Sequence, residues 1–84
     1  MKIKILGPGC ARCDQLEKIT EEVVKELGID VSLEHVKDVK KIMEYPILHT
    51  PGLVLNEELV CSGRVPTKAE VTTYITTALS KQME

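Results

Sequence analysis

Lys2-Ile3-Lys4-Ile5-Leu6-Gly7-Pro8-Gly9-Cys10-Ala11-Arg12-Cys13 is the stretch that decides the fold. Ile3 and Ile5 share one face of an alternating run, with Lys2, Lys4 and Leu6 on the other, so Lys2 to Leu6 reads as a strand. Gly7-Pro8-Gly9 breaks it. Apolar residues then recur at helical spacing from about Ala11 to Leu27: Leu16, Ile19, Val23, Val24 and Leu27. A Cys-x-x-Cys pair therefore stands where a strand ends and a helix begins. The first turn of a helix has backbone N–H groups without intrahelical partners and about half a positive charge. Both favour a thiolate, the form in which cysteine acts as nucleophile or metal ligand. Such surroundings lower a thiol pKa from about 8.5 to roughly 3.5–7.5. Arg12 adds a local cation. A dithiol/disulfide redox site is the leading reading.

Composition narrows the alternatives. With 84 residues the chain has room for one domain, residues 1–84, and one modest core. It has no Trp or Phe and two Tyr, so that core must be aliphatic. Net charge is −2 with no clustered basic face, which argues against nucleic acid. No apolar run approaches the roughly 20 residues of a membrane span. Nor does the N-terminus have a signal-peptide core, since only Ile5-Leu6 stands behind its lysines. Three cysteines make an odd count, against a secreted disulfide framework. A cytoplasmic, monomeric protein is expected, and in that reducing compartment paired cysteines are catalytic or metal-binding more often than structural.

Onward from the first helix, Gly28 is placed to end it. A second strand is expected from about Val31 to Val36, parallel to the first through a right-handed crossover. Asp38 caps a short helix, about Val39 to Glu44, with Ile42 and Met43 inward, and Tyr45-Pro46 stops it. Leu53 to Leu55 and Leu59 to Ser62 form a hairpin around the turn Asn56-Glu57-Glu58. Thr67-Lys68-Ala69-Glu70 is a capping box for a last helix to about Lys81, apolar along Val71, Tyr74, Ile75, Ala78 and Leu79. The order is β-α-β-α-β-β-α. The expected fold is α/β, a four-stranded mixed sheet of order 2-1-3-4, with the two long helices on one face and the short one on the other.

With these elements placed, the chain resembles small thioredoxin-like, glutaredoxin-like redox-active disulfide proteins. The resemblance rests on Gly7 to Cys13 after the first strand, Tyr45 to Pro51 before the third, and Gly63 to Pro66 after the fourth. It implies a thiol–disulfide oxidoreductase that reduces protein disulfides. Cys10 would be the nucleophile and Cys13 the resolving thiol. Thr50, a cis Pro51 and Gly63 would form the substrate-binding side. The resemblance also implies no cofactor beyond the Cys10–Cys13 disulfide, and a thioredoxin reductase-type electron donor. The chain departs from classical thioredoxins in carrying Ala11-Arg12 between its cysteines, and Lys4 roughly where they bury an acid.

Other residues have plainer readings. Cys61 is expected as a small buried hydrophobe on the same face as Leu59, and His35 as a surface or strand-edge residue. Arg12 and His49 are candidates to tune Cys10, and Tyr45 either lines the groove or packs in the core. Arg64 is read as solvating. The rival class is a soft-metal chaperone of ferredoxin-like fold, which also puts Cys-x-x-Cys between a first strand and a first helix, where thiolates would select copper or zinc. Its order, β-α-β-β-α-β, has no closing amphipathic helix, whereas Thr67 to Lys81 reads as one.

Overall fold

The computed structural model describes residues 1–9, 11–47 and 49–82. The elements are β1 (Lys2–Leu6), α1 (Ala11–Leu27), β2 (Ser32–Val36), α2 (Val39–Ile42), β3 (Gly52–Leu55), β4 (Glu58–Ser62) and α3 (Lys68–Gln82). The sheet runs β2-β1-β3-β4. β1 is parallel to β2 and antiparallel to β3, and β3 is antiparallel to β4. This is the expected thioredoxin-like order. It ends in a helix that packs on α1, which excludes the ferredoxin-like order of the metal-chaperone reading.

Alternation along β1 divides the apolar side chains between two layers. Ile3 and Ile5 join Leu16 and Val23 of α1, Leu53 and Leu55 of β3, and Val71 and Ile75 of α3 in the larger core. Leu6 turns the other way and meets Val36, Ile42 and Val54, with Tyr45, Ile47 and Leu59 around them. β3 is buried on both faces, as befits a central strand covered by helices on either side. Thr20 is fully buried in the α1 interface. Its hydroxyl donates to the Leu16 carbonyl at 2.8 Å, so a polar residue sits at a core position without an unmet hydrogen bond.

The expected helix ends are present. Gly28 has φ +62, and a Schellman pair closes α1: Gly28 N–H to Lys25 O and Ile29 N–H to Val24 O. Asp38 accepts from the Lys40 N–H at 3.0 Å at the start of α2. Thr67 and Glu70 make the reciprocal capping box, and Arg64 forks onto the Glu70 carboxylate. Arg64 is thus the partner of a helix cap and not merely solvating. The Arg64 guanidinium, followed by the Thr67 N–H, holds the Glu70 carboxyl at about 2, below its usual 4.5. A carboxyl lowered by folding stabilises fully above its ordinary value, and that contribution is lost as pH falls from 4.5 towards 2. Thermal melts at pH 7 and pH 3 should show a larger drop in midpoint for the wild type than for Glu70→Gln. Equal drops would mean that the cap contributes nothing.

Three local expectations are corrected, and Lys4 gains its partners. Met43 is 74% exposed while Ile42 is buried, because α2 is a single turn and only one of two successive residues can face the sheet. The hairpin turn is Asn56-Glu57, both with positive φ, so β4 begins at Glu58. A bulge in β4 pairs Leu53 with Cys61 but Val54 with Leu59. The extra residue turns Cys61 into the larger core, on the opposite face from Leu59. Lys4 lies half-buried on the other side of β1 from Ile3 and Ile5. On the α2 face it donates to the Tyr45 hydroxyl at 3.0 Å and to Glu57 at 2.9 Å in the β3–β4 turn. These two hydrogen bonds, led by Glu57, raise the Lys4 ammonium pKa and keep it charged.

Candidate active site

The site is built where β1 ends. The Gly7 N–H donates to Val36 O at 3.0 Å and continues the β1–β2 ladder one residue past the strand. Cys13 lies in the first turn of α1, fully buried, with its sulfur against Gly7. A Cβ added to Gly7 would overlap Cys13 Sγ and lie 3.9 Å from the Cβ of Thr50. Glycine at position 7 is therefore what lets strand, helix and the Thr50 loop close on one thiol. Cys10, the expected nucleophile, lies outside the described residues.

The loop before β3 completes this side. The Thr50–Pro51 peptide is cis, Pro51 is buried and Thr50 half-buried. Pro51 O accepts from the Gly63 N–H at 3.0 Å, tying the loop to the end of β4. Gly63 has φ +79, and a Cβ there would come within 3.3 Å of His49 Cβ. Cys13, Gly7, Thr50, Pro51, Gly63 and His49 are thus brought into one neighbourhood. Arg12 is exposed on α1. Tyr45 packs against the smaller core, its hydroxyl donating to Glu57 at 3.1 Å, so it serves the Lys4 network. Cys61 packs in the larger core, in no disulfide. Tyr74 is beside it; burial chiefly, and then the Cys61 thiol, raise the Tyr74 hydroxyl pKa.

His35 lies on β2, an edge strand of the sheet, which is one of its two expected placements, but it is mostly buried there. It is not a surface residue: its side chain is 10% exposed, with Nε2 3.2 Å from Gly7 O and Nδ1 3.1 Å from Glu17 Oε2. The parallel register pairs Ile5 with His35 and puts both under α1, so the strand pairing held the signal. Among the described residues, Asp14, Glu17 and His35 form the one group of three side chains of metal-ligand type, within 4.8 Å. Both His35 nitrogens are already engaged and the two acids belong to an open helix face. We read it as a hydrogen-bonded cluster, not a metal centre.

Fold and sequence define a class, the small α/β proteins with a Cys-x-x-Cys pair in the stretch that leads from their first strand into their first helix and a proline loop before the third strand. A family model, the thioredoxin domain, matches residues 1–76. A thioredoxin of Methanothermobacter thermautotrophicus is 48% identical over 71 residues, covering 84% of this chain and 92% of its own. A thioredoxin of Methanocaldococcus jannaschii is 36% identical over 69 residues, covering 82% and 79%. The chain belongs to the thioredoxin family and is a thiol–disulfide oxidoreductase. No helix among the described residues is long and apolar enough to cross a membrane.

Proposed function

We propose that the chain is a single-domain, monomeric, cytoplasmic electron carrier that reduces protein disulfides through a Cys10–Cys13 couple. The observation that carries this is the Cys13 thiol, buried in the first turn of α1 with its sulfur packed on Gly7. A thiol so placed is shielded from outside oxidants, and its partner in the Cys-x-x-Cys pair stands three residues earlier in the sequence. The Cys10 thiolate attacks one sulfur of the substrate disulfide, forming a mixed disulfide, and the other sulfur leaves as a thiolate and takes up a proton. The Cys13 thiolate then attacks the Cys10 sulfur. The second substrate thiol is released, and the two electrons it gained leave a Cys10–Cys13 disulfide behind. A thioredoxin reductase-type donor returns the pair to the dithiol.

An extended segment of the substrate would lie along the Thr50-Pro51 loop and Gly63, pairing with the Thr50 backbone as a short added strand. Arg12 and His49 would tune Cys10 through charge, an effect reduced by salt at the surface. The variants separate the two cysteines. Cys13→Ser should accumulate a covalent mixed disulfide through Cys10 when given a protein disulfide, visible by mass spectrometry. Cys10→Ser should form no adduct and turn nothing over. Normal turnover by Cys13→Ser would refute the assignment.

A further inference from the structure

His35 faces two hydrogen-bond acceptors at once. The Gly7 carbonyl oxygen, 3.2 Å from Nε2, only accepts. The Glu17 carboxylate, 3.1 Å from Nδ1, only accepts when ionised. A neutral imidazole has a single N–H and can satisfy one of them; the imidazolium satisfies both. Asp14 adds a second carboxylate from α1, within 4.8 Å of the same group. On β1 the residue beside His35 is the apolar Ile5. The nearest cation in sequence, Lys37, lays its side chain towards Gly9.

The same contacts lead to the buried thiol by two routes. Gly7, whose carbonyl His35 holds, is the residue packed on Cys13 Sγ. Glu17 is four residues after Cys13 on α1, and residues at that spacing are neighbours on a helix surface. We propose that His35, as an imidazolium clamped between Glu17 and Gly7, is a positioning residue of the dithiol: it pins the Gly7 peptide against Cys13 and lends positive charge that favours the Cys13 thiolate. The inference rests on the dithiol reading. When His35 gives up a proton it loses the one on Nδ1. Gly7 is fixed in the β1–β2 ladder and keeps the Nε2–H, whereas the Glu17 side chain is 33% exposed and free to turn to water. The charge held against the Gly7 carbonyl is then gone. Histidine is the side chain that makes this change near neutral pH.

The test follows Cys13 by the ¹³Cβ shift and His35 by its ring ¹⁵N shifts, from pH 5 to 10, in Cys10→Ser protein with a chelator present. At the acid end of the range both ring nitrogens should read as protonated, and at the alkaline end only Nε2. Cys13 should titrate in two coupled steps, the lower one coinciding with His35. His35→Gln should collapse these into a single step and reduce the thiolate fraction at pH 7 roughly tenfold, with the curves converging at high pH. His35→Lys, which keeps a charge that does not titrate in this range, should restore the thiolate fraction but not the lower step. A His35 ring that stays neutral throughout the range would overturn the proposal, as would an unchanged Cys13 curve in His35→Gln. Neither outcome depends on turnover, so failure here is distinct from failure of the dithiol reading, which the mixed-disulfide trap decides.

Discussion

Gly7→Ala is expected to destabilise the protein by about 2 kcal/mol and to remove most of its disulfide-reducing activity. The new methyl would sit inside the space of Cys13 Sγ. Neither side yields easily. The Gly7 N–H is held by Val36 O, and its carbonyl faces His35. Cys13 is fully buried in the first turn of a 17-residue helix. Relief requires moving the loop or swinging the sulfur, and either one displaces the Cys13 thiol that the proposed reaction uses. Gly28→Ala is the control. Nothing lies within 4 Å of its Cβ position, but φ +62 is a left-handed conformation costing an L-residue roughly 1–2 kcal/mol. Comparable stability loss with intact activity is expected there. Urea midpoints and turnover for both variants decide the matter, and an active Gly7→Ala would show that the close approach is unimportant.

Leu53→Ala is expected to cost about 3 kcal/mol, within the 2–5 kcal/mol typical of buried leucines. Leu53 lies on central β3, fully buried, opposite Ile5 on one neighbour and Cys61 on the other, with α1 and α3 covering its face. No aromatic residue is at hand to fill the cavity, since the larger core is aliphatic apart from Tyr74 at its edge. A folded chain of 84 residues has a net stability on the order of 4–13 kcal/mol, so one such loss is a large share. Met43→Ala, at a side chain 74% exposed, should stay within about 0.5 kcal/mol of wild type. A denaturant series that ranks these two variants the other way would contradict the assignment of the core.

Much of the fold was legible because strong local signals coincided with the tertiary arrangement. The β1 alternation, the Gly7-Pro8-Gly9 break, the α1 periodicity and the capping residues Asp38, Thr67 and Glu70 each acted where the sequence put them. The parallel β1–β2 pair followed from the crossover helix, and the strand order followed from that pair and the hairpin. Misreadings came where one residue changes the side on which everything after it falls. The β4 bulge moved Cys61 to the other face, and no composition signal announces a bulge. The one-turn length of α2 left Met43 outward although its apolarity suggested a core position. At the site, the surroundings of Cys13 could be anticipated from the motif. The Glu17–His35–Gly7 contacts could not be read from either segment alone, because they need the β1–β2 register and the rotation of α1 together. The contacts of Lys4 are equally beyond local sequence. Its own partners, Tyr45 and Glu57, are 41 and 53 residues away in sequence.

The most direct measurement is an equilibrium redox titration of the full chain, purified without oxygen, against a defined thiol–disulfide buffer, with bound metal assayed in the same sample. A reversible two-electron Cys10–Cys13 couple at roughly −250 mV or below, in metal-free protein, is the result expected of a disulfide-reducing member of this family. A protein that forms no Cys10–Cys13 disulfide at any potential, or whose two thiols arrive occupied by copper or zinc, would contradict it.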